Sequence, residues 1–70
     1  MDASERLAQN IRRRRKEMGI SQEALGERCG LHRTEISLLE RAARDPRLST
    51  LVRVARALRL DLAEMLQGIR

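Results

Sequence analysis

Cys29 and His32 are the residues of this chain whose side chains most often ligate metals or act as nucleophile and base. The chain has one cysteine and one histidine, three positions apart. A zinc site normally needs four ligands, and the sequence arranges no second acid–base group or nucleophile with either side chain. We therefore predict that Cys29 is a core residue and that the chain has no metal, no cofactor and no enzymatic activity.

The charge of the chain favours a polyanionic partner. Fifteen Lys and Arg residues oppose ten Asp and Glu residues, so the formal net charge is +5 at pH 7. A basic balance of this kind attracts nucleic acids and other polyanions. Because Phe, Trp and Tyr are absent, unpaired bases have no aromatic ring on which to stack, which argues against the single-strand-binding modules.

The length allows one domain, which we take to be residues 1–70. At this size only roughly 60% of the surface is buried on folding, so a second subunit would add stability. No apolar run is long enough to span a membrane, and no signal peptide is visible. We expect a cytoplasmic protein of bacterial or phage type, with no membrane partner, no sensory domain and no small-molecule ligand.

Capping residues and apolar spacing predict an all-α chain of five helices. The expected N-caps are Asp2 or Ser4, Ser21, His32, Ser49 and Asp61. The predicted helices cover about residues 3–18, 22–29, 33–41 and 49–58, and a last helix runs from Asp61 to the C-terminus.

Two short helices flank a turn at Gly30 in the most informative stretch, SQEALGERCGLHRTEISLLE. Gly30 can adopt the positive φ that a sharp interhelical turn needs. Gly26 lies inside a helix, where glycine costs about 1 kcal/mol relative to alanine, so we expect a second helix to cross closely there. Leu25, Ile36 and Leu39 are expected to fix the crossing angle.

This stretch resembles the helix-turn-helix of the Cro/phage-repressor (Xre) family. The resemblance rests on Gln22-Glu23-x-Leu25, Gly30, Ile36-Ser37, Glu40-Arg41 and Pro46-x-Leu48-x-Thr50-Leu51, and it covers nearly the whole chain. It implies a five-helix, lambda-repressor-like DNA-binding domain with its helix-turn-helix at about residues 21–41. It also implies that a recognition helix, about residues 33–41, enters the major groove of duplex DNA.

The resemblance implies a role for each matching residue. Ser21 and Gln22 begin the second helix, where Gln22 matches a phosphate-contacting position. The expected DNA-binding set is Ser21, Gln22, His32, Arg33, Thr34, Glu35, Ser37, Leu38, Arg41 and Arg44, with Arg47 near the same loop. Arg33 is the expected base reader, since its fork can donate two hydrogen bonds to guanine O6 and N7.

Glu35 has two interpretations within that set. It could accept a hydrogen bond from cytosine N4 if it points into the groove, or it could repel phosphates if it does not. The resemblance also implies a buried ion pair between Arg15 and Glu40. Two departures stand out, since His32 replaces the usual Ser or Thr cap and Ala42 replaces the usual glycine.

The last helix carries more apolar residues than one intrachain face needs. We predict that Met65, Leu66 and Ile69 form a homodimer interface, against the simpler interpretation that they bury the chain end. A two-fold dimer would match a palindromic operator. The acidic residues Glu23 and Glu27 make RNA polymerase a further candidate partner.

A second function class uses the same scaffold. Because fold does not fix function, the chain could be a helical protein-interaction module, such as an antitoxin or a regulatory subunit. A protein-binding face should be apolar, whereas the expected recognition helix presents Arg33, Thr34 and Ser37, with Leu38 as its only large apolar group. The sequence therefore favours a DNA-binding transcriptional regulator.

Overall fold

A computed structural model describes residues 1–70 and confirms an all-α chain of five helices without strands. The helices are α1 (Ala3–Glu17), α2 (Gln22–Cys29), α3 (Arg33–Glu40), α4 (Leu48–Ala57) and α5 (Leu62–Met65). None of them is long and apolar enough to cross a membrane.

Capping explains where most of these helices begin. Asp2 caps α1 and Asp61 caps α5, each through a reciprocal capping box. The Asp2 carboxylate accepts from the N–H of Glu5 at 2.8 Å, and the Asp61 carboxylate accepts from the N–H of Glu64 at 2.7 Å. The Ser21 hydroxyl accepts from the backbone N–H of Ala24 at 3.0 Å, as predicted for α2. Each such bond satisfies one of the orphan donors of a helix N-terminus.

Two predicted helix boundaries are wrong. Ser49 is not an N-cap, because α4 starts one residue earlier and its N-cap residue, Arg47, makes no side-chain capping bond. The last helix does not reach the C-terminus but ends at Met65, since the chain after Leu66 turns through Gly68 at a φ of 83°.

The core gathers apolar side chains from all five helices and from Leu58, which directly follows α4. The largest fully buried side chains are Ile11, Leu25, Ile36, Val54, Leu58 and Met65. Cys29 is also buried and free, as predicted for a core residue. This core packs α3 against α1 and α2, and α2 in turn against α4, so α1 and α2 set the position of α3.

The turn between α2 and α3 depends on two glycines. Gly30 adopts a left-handed φ of 71°, as predicted. A Cβ on Gly26 would overlap the carbonyl oxygen of Leu31, whose N–H donates back to the Gly26 carbonyl at 2.9 Å. The close neighbour of Gly26 is therefore the backbone of the turn itself, and not a crossing helix as the sequence had led us to expect.

Candidate nucleic-acid interface

The start of α3 presents three consecutive exposed polar residues, His32, Arg33 and Thr34. The imidazole Nδ1 of His32 accepts from the backbone N–H of Thr34 at 3.0 Å, so histidine performs the capping that Ser or Thr usually supplies. With Nδ1 accepting, the neutral ring carries its proton on Nε2. His32 thus caps the helix and still offers an outward hydrogen-bond donor.

The buried side of α3 fixes which residues face outward. Ile36, Leu39 and Glu40 are buried, while Ser37 and Leu38 are half-buried and Arg41 is exposed. The outward surface is therefore polar and basic at the first turn of α3. Such a surface offers donors to base edges and phosphates rather than an apolar patch to a protein.

Arg15 and Glu40 tie α1 to the end of α3. The guanidinium donates to both carboxylate oxygens, from Nε at 2.6 Å and from Nη2 at 2.9 Å, and only 12% and 3% of the two side chains are exposed. Arg15 Nη1 also donates to the carbonyl of Ile20 at 2.9 Å. The hydrogen bond to Glu40 raises the pKa of Arg15. Burial lowers the same pKa, but by less.

Gln22 belongs to the same network. Its Nε2 donates to Glu40 Oε1 at 3.2 Å, so the side chain is oriented by the ion pair. One amide hydrogen is used in this bond, and the second, together with the unpaired N–H groups of a helix start, remains available to an anion. An open polar cleft lies where the start of α2 meets the start of α3. It is lined by Arg15, Ser21, Gln22, Glu23 and Arg33.

The loop after α3 reverses the chain through Ala42, which has a left-handed φ of 56°. The N–H of Ala43 donates to the carbonyl of Leu38 at 2.9 Å, which closes the helix end. Alanine therefore takes the conformation for which glycine is usual at this position. Beyond this turn, Arg44 Nη1 lies 3.4 Å from Glu35 Oε1, and both Arg44 and Arg47 are exposed.

A helix-turn-helix family model, HTH_3, matches residues 11–65, which include α2, the glycine turn and α3. The chain belongs to this helix-turn-helix family. It is accordingly a transcriptional regulator with a helix-turn-helix DNA-binding fold.

Three relatives show the range of the family's resemblance to this chain. Control protein C.SmaI of Serratia marcescens is 44% identical over 72 residues, covering 100% of this chain and 86% of that protein. The restriction-modification controller protein C.AhdI of Aeromonas hydrophila superposes with a TM-score of 0.86 at 31% identity, covering 89% of this chain and 94% of that one. The P22 c2 repressor, in complex with a synthetic operator, gives a TM-score of 0.82 at 34% identity with the same coverages of 89% and 94%.

Arg53 lies outside the helix-turn-helix but bonds to its turn, a contact that the sequence did not predict. From α4 its Nε donates to the carbonyl of Cys29 and its Nη2 to the carbonyl of Gly30, both at 2.9 Å. These carbonyls end α2, where cations are favourable. The sequence offers no local signal for this contact, because the partners lie more than twenty residues apart.

Asn10 was missed as well, although its position carries a signal. It is 2% exposed, and its Nδ2 donates to the carbonyls of Met65 and Gln67, each at 2.9 Å. Asn10 directly precedes Ile11 on the apolar side of α1, and a buried amide there requires partners. The partners it finds are the carbonyl of Met65, the last residue of α5, and that of Gln67 just beyond the helix.

The predicted dimer residues do not share one environment. Met65 is fully buried within its own chain, so the prediction that it contacts a second subunit is wrong. It fills the core below α5 rather than facing outward. Leu66 and Ile69 are half-buried and retain surface that a second copy could cover.

Proposed function

We propose that this regulator binds duplex DNA sequence-specifically as a homodimer, with α3 in the major groove of each half-site. The observation that carries the proposal is the exposed polar start of α3, where His32, Arg33 and Thr34 project from a helix that packs against α1 and α2. A helix fits the major groove, and its leading residues reach base edges.

Individual roles follow from the chemistry of these groups. Arg33 reads a base, through two bonds to guanine that give roughly 1–3 kcal/mol of discrimination. Thr34 offers a hydroxyl and a methyl group to the same groove, and His32 donates from Nε2 to a phosphate. The polar cleft at the start of α2 receives a phosphate through Gln22 and the adjacent backbone N–H groups.

The size of one copy confines it to one half-site. The longest dimension of the chain is 30 Å, and α3 has eight residues, which rise about 12 Å. Half-sites one helical turn apart are separated by about 34 Å, so one copy reaches one half-site. Two copies related by a two-fold axis, meeting through a face that includes Leu66 and Ile69, would read a palindromic operator.

The relatives support the regulatory part of the proposal. C.SmaI is named a control protein and C.AhdI a restriction-modification controller, while the P22 c2 repressor is seen with an operator. We propose that this chain likewise controls transcription from an operator whose occupancy follows the concentration of the protein.

Selection from a random DNA duplex pool, at two salt concentrations, tests the proposal directly. We expect a two-fold-symmetric motif to be enriched at both concentrations. If a dimer neutralises about 6–10 phosphates, the affinity for that motif should fall with a log–log salt slope near −5 to −9. Absence of enrichment, or salt-sensitive binding that ignores sequence, would contradict the proposal and favour a protein-interaction module.

Sedimentation of an Ile69→Asp variant tests the dimer. A charge at the proposed interface should leave the protein monomeric, while circular dichroism shows that the helices persist. Operator binding should then become half-site binding with a weaker concentration dependence. An unchanged dimer would place the interface elsewhere on the surface.

A further inference from the structure

Glu35 carries a negative charge on the recognition helix, at a place where phosphates and base edges would lie. An unpaired carboxylate there would repel the DNA backbone or accept from cytosine. In the structure Glu35 is paired, because Nη1 of Arg44 lies 3.4 Å from its Oε1. The Glu35 side chain is 26% exposed, whereas the Arg44 side chain is 51% exposed. The carboxylate is thus partly covered, and the guanidinium faces outward.

The path of the chain explains how the two residues meet. The left-handed Ala42 and the bond from the Ala43 N–H to the Leu38 carbonyl turn the chain back at the end of α3. Arg44 then reaches back along the helix to Glu35, which is only the third residue of α3. The guanidinium therefore lies beside the flank of α3 that carries Glu35, where both residues line a hollow with Arg47 and Thr50.

A second contact holds the loop in this arrangement. The Ser4 hydroxyl donates to Asp45 Oδ1 at 2.9 Å, so the carboxylate next to Arg44 is bound to α1. Arg44 and Asp45 are adjacent in sequence but are held by different helices. Asp45 is thus held by Ser4 of α1, while the ion-pair partner of Arg44 is Glu35 of α3.

We infer that Glu35 is a positioning residue, which contributes to the base preference of the protein by holding Arg44 against the operator on the flank of α3 that carries Glu35. Glu35 itself does not contact DNA. Arg44 supplies a second planar fork that can read a guanine edge. The inference rests on the proposed function and names two residues through which that function achieves sequence preference.

A Glu35→Gln variant tests the inference by the sign of its effect. Removing a negative charge from a DNA-binding surface should by itself strengthen binding to every duplex. If Glu35 positions Arg44, the variant should instead bind the selected operator about fivefold more weakly and lose preference at one base pair in each half-site. Glu27→Gln is the matched control, because it removes the same charge from an exposed residue of α2 that has no ion pair.

A double-mutant cycle separates positioning from direct reading. Arg44→Ala should lower operator affinity by about tenfold and relax the same base pair that Glu35→Gln relaxes. Added to Arg44→Ala, the Glu35→Gln change should cause no further loss and should slightly raise affinity, because the freed carboxylate repels phosphate. Circular dichroism melting of each variant should show little change, since exposed ion pairs contribute little to folding.

Three results would overturn the inference. Stronger operator binding by Glu35→Gln, as for Glu27→Gln, would mean that Glu35 only repels DNA. If Glu35→Gln still reduces base preference when it is added to Arg44→Ala, then Glu35 reads a base itself. If the unmodified protein selects a sequence but the two substitutions lower its operator affinity additively, the positioning role of Glu35 is refuted and the proposed function stands. If the unmodified protein selects no sequence, the proposed function is refuted as well.

Discussion

The guanidinium of Arg15 and the carboxylate of Glu40 join α1 to the end of α3 through two hydrogen bonds, and both groups are nearly covered. The first prediction follows from that burial. Arg15→Ala should lower the free energy of unfolding by about 3–5 kcal/mol, because it leaves the Glu40 charge buried without its partner. Urea denaturation measures the loss.

The matched comparison for Arg15 is a variant in which both charges are removed. Arg15→Met combined with Glu40→Leu should recover most of the lost stability, since a buried pair adds little over apolar side chains of similar volume. Arg13→Ala, at an exposed position of the same helix, should change stability little. A double variant as unstable as Arg15→Ala would show that packing, and not the unpaired charge, causes the loss.

The second prediction concerns Gly26. Replacing an internal helical glycine with alanine normally stabilises a helix by about 1 kcal/mol. Here the new methyl would overlap the carbonyl oxygen of Leu31, which belongs to rigid backbone. Gly26→Ala should therefore destabilise the protein by about 1–3 kcal/mol and weaken any binding that depends on the angle between α2 and α3.

Gly19→Ala separates steric overlap from backbone strain. Gly19 has a left-handed φ of 68°, but nothing lies within 4 Å of a Cβ placed there. Its replacement by alanine should lower the free energy of unfolding by about 1–2 kcal/mol, the cost of the left-handed conformation, and should not affect the turn between α2 and α3. A stabilised Gly26→Ala protein would show that the turn backbone can move aside.

The third prediction is a stabilising change at Ala42. This residue has a φ of 56°, a conformation that costs an L-residue roughly 1–2 kcal/mol. Glycine would avoid that strain, but part of the gain would be lost because glycine gives up more backbone entropy on folding. Ala42→Gly should raise the free energy of unfolding by about 0.5–1 kcal/mol. Ala43→Gly, next to it and without a positive φ, should lower stability; equal effects of the two changes would contradict the assignment of strain to Ala42.

The fourth prediction concerns the thiol of Cys29. Burial raises its pKa, against smaller opposing contributions from backbone hydrogen bonds and Arg53. The folded protein should therefore react slowly with iodoacetamide at mildly alkaline pH, because the thiolate is the reactive form. Urea should accelerate the reaction; equally rapid alkylation without urea would contradict the burial.

The raised pKa also sets the sign of a pH effect. Above the ordinary pKa of the thiol, the unfolded chain releases the proton before the folded chain does. The contribution of Cys29 is therefore complete below the unfolded pKa and is lost as the pH rises through the folded pKa. Comparing the alkaline stability slope of the protein with that of Cys29→Ala isolates this contribution.

The fifth prediction distinguishes base reading from phosphate binding. Arg33→Ala should relax preference at one base pair per half-site, with a cost of about 1–3 kcal/mol on the operator alone. Gln22→Ala should weaken all duplexes alike, and it should leave the salt dependence nearly unchanged because the amide carries no charge. Competition binding with an operator and a scrambled duplex measures both, and an equal loss on every duplex for Arg33→Ala would remove its assigned role.

The sequence by itself determined the five helices and most of their caps. Local chemistry suffices there, because Asp2, Ser21 and Asp61 bond to N–H groups only three residues away. Apolar spacing likewise pointed to Leu25, Ile36 and Leu39, all of which are buried, and the motif around Gly30 led to the family. These signals are short-range, and so they can be read along the chain.

Only the tertiary structure decided how those helices meet. The carbonyl partners of Asn10 and Arg53, the turn backbone beside Gly26, and the burial of Met65 all depend on residues distant in the sequence. The pairing of Glu35 with Arg44 depends on the direction in which the loop leaves α3. Residue type indicates that a side chain needs a partner, but the partner is chosen by chain reversal and packing, which no local spacing encodes.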